Sequence, residues 1–270
     1  RHWKRCADVS WHRRTRETTT TTRGLRDFHN LYVKRKLIMS VAHNGDTLID
    51  YAVGKAGDLS KWNNAKLSFV YGIDYSEDNI ENKRDGACVR YIEFRSKTKK
   101  SPDALFSVGN SVLNFKTGQG LKTDRDKVIY NAIIGRGNKS EKQLGKGVFK
   151  NFGKGSDGFN ISSCQFALHY FFEDLASIKG FIRNVSENTK LGGYFIGTAC
   201  MVIMRDPDTG WINYGAYRVQ AHESNVASLM TTKGKHGDIL RSKYHDRGEP
   251  CPIAVVAGMH PSLFMVAGLE

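Results

Sequence analysis

The sequence predicts an α/β fold with a parallel central sheet, followed by a small β-rich segment. Two observations carry this. Short apolar runs of strand type alternate with helical runs from residue 46 onward, and that βαβαβ order calls for a parallel sheet with right-handed crossovers. A turn rich in small residues, DYAVGKAGD at 50–58, closes the first strand, where such a sheet places its ligand. The chain's 270 residues suffice for one large α/β domain or two smaller ones, and 40% apolar with 25% charged residues are globular proportions.

Residues 1–23 carry Arg1, Lys4, Arg5, Arg13, Arg14, Arg16 and Arg23 against Asp8 and Glu17 and end in a threonine run; without an apolar period they read as a flexible basic arm. Residues 25–42 place Leu25, Phe28, Leu31, Tyr32, Leu37, Ile38 and Val41 at near-helical spacing. A strand follows at 46–52, the small-residue turn at 53–58 and a short helix toward Trp62. The second strand, 67–74, ends on Asp74. A helix over 76–98 and a strand at 103–109 complete the first half. Residues 114–155 are Gly- and Lys-rich (KTGQG, GRGNKS, GKGVFKNFGKG) with one amphipathic stretch near 125–134, and read as an insertion, long enough to serve a function. A strand at 157–166, a helix near 173–188 and a fifth strand at 192–198 follow. Residues 199–270 read as strands with a turn at 206–210 and a basic helix at 237–247, joined without a linker.

Forty-one Lys and Arg against 27 Asp and Glu give a net charge of +14, so a polyanion is expected as partner, nucleic acid before an anionic membrane surface. Cys6, Cys88, Cys164, Cys200 and Cys251 form no CxxC pair, which suggests neither a disulfide framework nor a zinc site and fits a reducing compartment. The longest uncharged stretch, 250–269, is interrupted by Pro252, His260, Pro261 and Ser262, so no membrane span is expected. No secretory signal is visible, and the first residue is not Met, so the native start is expected elsewhere.

Asp74 follows Gly54 by 20 residues, the spacing of a nucleoside site in which a strand-end carboxylate accepts from both ribose hydroxyls. No GxxxxGK[ST] motif is present, which excludes a P-loop.

The run DYAVGKAGDLSKW (50–62), together with YGIDYSEDNI (71–80), SSCQFALHYFFE (162–173), GGYFIGT (192–198) and LRDFHNLYVKRKLI (25–38), resembles the messenger-RNA cap guanine-N7 methyltransferases, over residues 24–198. The lysine-rich insertion and KRDGACVRY (83–91) most resemble the forms from large DNA viruses. The resemblance implies a Rossmann-like sheet that binds S-adenosylmethionine and moves its methyl group to N7 of the guanosine cap of RNA. By it, Lys34, Ala52, Gly54, Asp74, Asn110, Gln165 and Tyr170 are cofactor residues, and His29, Asn30, His169 and Tyr170 face the cap. No metal and no catalytic acid, base or nucleophile is implied. Capped RNA is the implied partner, with other capping activities on a longer parent chain. The compartment would be cytoplasmic, in a viral factory or virion, for a viral protein, and nuclear for a cellular one.

The chain departs from that pattern in places. Ala56 replaces a glycine, a mild change unless φ is positive. Asn110 replaces an aspartate, though its amide oxygen can still accept. FHNLYVK has one residue more between asparagine and lysine than the family's spacing. After Thr198, RDPDTGWINYGAYRVQAH (205–222), GKHGDILRSKYHDRGEPCPIAVVAG (234–258) and HPSLFMVAG (260–268) resemble instead the middle of prenylated-flavin-dependent decarboxylases of the UbiD family, where Asn213, Arg218 and His236 match flavin- and metal-holding residues. The two resemblances imply a chimera joined near 198–202: an incomplete methyltransferase sheet with reduced or no activity, followed by a decarboxylase-like fragment that binds no flavin. A non-catalytic RNA-binding module on the same fold is the alternative.

Overall fold

The computed structural model describes residues 28–172, 174–198, 200–221, 227–257 and 267; the arm 1–23 lies outside them. The described residues fall in two compact units. One comprises Lys34–Gln165 and Ala176–Ile196, the other the described parts of Phe166–Leu175 and Gly197–Glu270 with the residues just before Lys34.

The first unit is a five-stranded sheet. After helix α1 (Lys34–Val41) come β1 (Thr47–Asp50), α2 (Leu59–Asn64), β2 (Phe69–Asp74), α3 (Glu77–Glu81), α4 (Ala87–Lys97), β3 (Asp103–Val108), α5 (Asp124–Ile133), α6 (Glu141–Leu144), α7 (Lys146–Lys150), β4 (Phe159–Gln165), α8 (Leu175–Asn188) and β5 (Thr189–Thr198). The strand order is β3-β2-β1-β4-β5. β1 pairs parallel with β2 (Thr47 opposite Phe69) and β4 (Leu48 opposite Ile161), and β2 with β3 (Phe69 opposite Asp103). β2 is buried along its whole length, as a strand covered on both faces must be. One face packs Leu48, Val70, Trp62, Ile38 and Ile161; stacked Tyr71, Phe159 and Phe69 lie among the other buried side chains.

Three expectations are corrected here. The helix expected over 76–98 is two helices, α3 and α4, separated at Asn82–Gly86. β5 begins at Thr189, three residues earlier than expected. Much of 114–155 is no loop insertion: it contains α5, the crossover helix between β3 and β4, with Phe115, Leu121, Ile129, Tyr130 and Ile133 buried.

The sheet's outer edge at β3 is protected by side chains. Outward-facing amides of an edge strand lack a ladder partner. Here Ala104 N donates to Tyr91 Oη at 3.1 Å, and Val108 N donates to Asp126 Oδ1 at 3.0 Å. Asp126 also closes the capping box of α5, accepting from Thr123 N while Thr123 Oγ1 accepts from Asp126 N. Beside α5, fully buried Asn184 of α8 ties down the chain after β3: its Oδ1 accepts from Phe115 N, and its Nδ2 donates to Ser111 O and Leu113 O. A side chain at Gly180 would overlap Val112 O, which is what lets α8 approach so closely.

The second unit contains an antiparallel sheet, β10-β6-β7 (Ile253–Ala257, Cys200–Arg205, Ile212–Gly215), and a hairpin of β8 (Arg218–Ala221) and β9 (Ala227–Met230). Helix α9 (His236–His245) contributes Leu240 to a core with Val202, Met204 and Tyr217. β6 starts after Ala199 yet pairs with β10 and β7, so among the described strands β5 has β4 as its one neighbour.

Candidate functional site

The carboxyl ends of β1, β2, β3 and β4 lie side by side, the place where a parallel sheet offers ligands its loops and free backbone groups. Asp50, Asp74, Asn110 and Gln165 all stand at this end. The turn after β1 is fastened to its neighbours: Val53 N donates to Ile73 O, Tyr51 N to Ser163 O, and Ser111 Oγ to Tyr51 O. Gly54 has φ +55 with no atom near a hypothetical Cβ, so its backbone faces open space in a conformation that suits glycine.

Asp74 is 8% exposed. Its Oδ2 accepts from Gly54 N at 2.7 Å, and its Oδ1 accepts from Ser76 N at 3.0 Å and Asn79 Nδ2 at 2.9 Å. A carboxylate has about four acceptor positions, so three are engaged and Oδ2 keeps one. The expectation that Asp74 takes both ribose hydroxyls is therefore narrowed to one while the turn holds this form.

Asp50 was not singled out in the sequence. It is buried, accepts from Ala52 N at 3.1 Å, and its pKa is pushed up to about 7, by loss of solvation first and by Asp58 next. A positive charge set beside such a group would favour its ionised form. Asp58 behaves in the opposite way. Burial pushes its pKa up, but Lys34 and Lys61 more than offset this and hold it below the ordinary value. Lys34 Nζ lies 3.1 Å from Asp58 Oδ2 and Lys61 Nζ 2.7 Å from Asp58 Oδ1.

Gln165 is buried, with Nε2 donating to Ser163 Oγ. Asn110 is half-buried, and its Oδ1 accepts from Val112 N at 3.0 Å, leaving one acceptor position on that oxygen. Ala56, treated as a mild change, has φ 51; it sits in the left-handed region, where a Cβ costs roughly 1–2 kcal/mol.

The first unit thus brings together Lys34, Ala52, Gly54, Asp74, Asn110 and Gln165. Asn30, half-buried, and Tyr170, 44% exposed, belong to the second unit; the side chains of His29 and His169 lie outside the described residues. Phe166, just past β4, adopts φ 60 and is 40% exposed, a backbone strain of the kind kept at binding sites.

Two of the residues matched to the decarboxylases, Asn213 and His236, have described side chains, each with a partner inside the second unit. Asn213 is buried with Nδ2 donating to Tyr217 Oη, which also accepts from Gly237 N. His236 stands edge-on to Trp211. Arg218's side chain is outside the described residues. No group of three His, Cys, Asp or Glu among the described residues is placed to hold a metal ion.

The model of the mRNA (guanine-N(7))-methyltransferase domain matches residues 1–209. That of the 3-octaprenyl-4-hydroxybenzoate carboxy-lyase Rift-related domain matches 187–270, so the two overlap across β5 and β6. The chain is 30% identical over 233 residues to mRNA cap guanine-N(7) methyltransferase 1 of Oryza sativa subsp. japonica, covering 84% of this chain and 53% of the relative. It is 24% identical over 185 residues to a probable mRNA-capping enzyme of Acanthamoeba polyphaga mimivirus, covering 68% of this chain and 14% of the relative. The chain thus spans about half or less of these relatives. A solved S-adenosylmethionine-dependent methyltransferase of Geobacter sulfurreducens, in complex with S-adenosyl-L-homocysteine, is 13% identical with a TM-score of 0.37, covering 67% of this chain and 51% of that one.

Proposed function

This chain belongs to the mRNA (guanine-N(7))-methyltransferase domain family, and from that premise we propose that residues 24–198 bind S-adenosylmethionine and methylate N7 of the guanosine cap of RNA. The supporting observation is the convergence of Asp50, Gly54, Asp74 and Asn110 at one end of the parallel sheet. In this reading Asp50 faces the ammonium of the cofactor's methionine part. Asp74 accepts one ribose hydroxyl through its remaining Oδ2 position, and Asn110 accepts from the adenine amine. Gln165 lines the same end.

When bound, the cofactor supplies a methyl group already activated by a positively charged sulfur. Guanine N7 has a free lone pair, so no side chain has to remove a proton. What the residues contribute is alignment and a suitable field. Tyr170, with His169, His29 and Asn30, is assigned to the cap; an exposed aromatic suits a base that becomes cationic on methylation.

The stretch 199–270 is read as a separate decarboxylase-like fragment that holds no flavin, joined near 198–202. Capped RNA is the proposed substrate, and no helix among the described residues is long and apolar enough to cross a membrane. Calorimetric titration with S-adenosylmethionine, then assay of 7-methylguanosine formation on GpppN-capped RNA, tests the proposal. Binding with methyl transfer supports it. Binding without transfer leaves a cofactor-binding module of the same fold, and no binding by folded protein at millimolar cofactor refutes it.

A further inference from the structure

The opposite end of the sheet carries a different chemistry. The amino ends of β1, β2 and β3 are in register at Thr47, Phe69 and Asp103, and their loops are stitched together: Gly45 N donates to Lys66 O, Ser68 N to Asp46 O, and Asp103 N to Ser68 O. Onto this rim the chain places Lys66, Lys97, Lys99, Lys100, Lys150 and Lys154. Lys66 lies in the short loop between α2 and β2. Lys97 ends α4, Lys99 and Lys100 follow it before β3, and all three are exposed, bordering a cavity of about 450 Å³. Lys150 Nζ reaches Asp103 Oδ2 at 2.7 Å, and Lys154 Nζ lies 5.6 Å from the centre of the Phe69 ring. The lysine-rich tail of 114–155 is therefore anchored at the end of the sheet away from the Gly54 turn.

Two of the rim's carboxylates are engaged, while Asp157, just before β4, is exposed. Asp103 binds Arg95 through Oδ1 and Lys150 through Oδ2, and Asp46 accepts from His43 N. Among the described residues no ion pair engages Lys97, Lys99 or Lys100, in a chain whose net charge is +14.

We propose that this rim is a docking surface for the phosphate backbone of single-stranded RNA. Its occupant is the transcript body, and in that respect the proposal rests on the cap reading above. Six residues of β2 at about 3.3 Å each separate the two ends by about 20 Å. A stacked strand advances about 3.4 Å per nucleotide, so at least about six nucleotides are needed to reach the rim from the cleft. Transcript length should then matter to binding.

The test uses the full chain and the variant Lys97→Ala/Lys99→Ala/Lys100→Ala, whose three side chains are exposed. Fluorescence anisotropy with an uncapped single-stranded RNA of about twenty nucleotides should show affinity reduced at least about tenfold and a log–log salt slope shallower by about 2, at about 0.7 per lost phosphate contact. Calorimetry with S-adenosylmethionine should be unchanged. On capped RNAs of about four and about twenty nucleotides, the native chain should favour the longer, and the variant should lose that advantage. An unchanged affinity and slope for uncapped RNA overturns the proposal, as does binding of phosphatidylserine vesicles in preference to RNA through these residues. Loss of RNA affinity in a protein that never methylates a cap supports the surface and refutes only the cap reading.

Discussion

The amide of Gly54 donates to Asp74 Oδ2 at 2.7 Å, so the turn after β1 and the end of β2 hold each other in place. Asp74→Ala removes the acceptor for the turn, for Ser76 N and for Asn79 together with the proposed ribose contact. Charge-assisted bonds of this kind contribute about 1.5–3 kcal/mol, so S-adenosylmethionine affinity should fall about 10- to 100-fold in calorimetry. His169→Ala should leave that affinity intact and lower turnover on capped RNA. Equal loss of both functions in the two variants would contradict the separate roles.

Asp50 gives the fold a pH dependence of defined sign. Its folded pKa, about 7, lies above the ordinary value of 3.8. Its protonated form therefore stabilises the fold fully below the unfolded value, and this contribution is lost as pH rises through about 7. Between about pH 5 and about pH 8, urea unfolding should show the native chain losing more stability than Asp50→Asn. Over the same range S-adenosylmethionine affinity should rise, because a bound cation favours the ionised carboxylate. Parallel stability profiles for the two proteins would remove Asp50 from this role.

Lys66 ends α2 with φ 54: Lys66 N donates to Asn63 O and Leu67 N to Trp62 O, the two bonds of a Schellman turn. A side chain in this conformation carries a strain that glycine lacks. Lys66→Gly should raise stability by about 1 kcal/mol, seen as a higher urea midpoint at constant slope.

Asn184→Ala would strip three buried backbone groups, Phe115 N, Ser111 O and Leu113 O, of their partner. At about 1 kcal/mol each the loss should be about 3 kcal/mol. The thermal midpoint should drop accordingly, and a change within experimental error would show that water replaces the side chain.

Strands β1 to β4 were legible because each is a short apolar run beside a turn signal, and Gly54 and Asp74 were legible by spacing. α5 was not read as a core element, because Ile129, Tyr130 and Ile133 sit in a stretch dense in Gly and Lys that looks like solvated loop. The two helices within 76–98 merged because the break at Asn82–Gly86 is short and polar on both sides. Asp50 escaped notice because only tertiary burial distinguishes it from any other aspartate at a strand end. Ala56 looked benign because residue type does not report φ. Asn184 carried no signal at all: a polar residue on a helix reads as exposed until its partners, some 70 positions earlier in the chain, are known.

The side-chain cover on β3 also separates two motions that a hydrogen-exchange experiment would otherwise merge. Ala104 N is held by Tyr91 of α4 and Val108 N by Asp126 at the start of α5, so neither amide depends on a second strand for its protection. Exchange at Ala104 reports the detachment of α4, and exchange at Val108 reports fraying of the first turn of α5, while the sheet beneath stays closed. Two amides four residues apart on one strand would then exchange at unrelated rates, each set by a different helix.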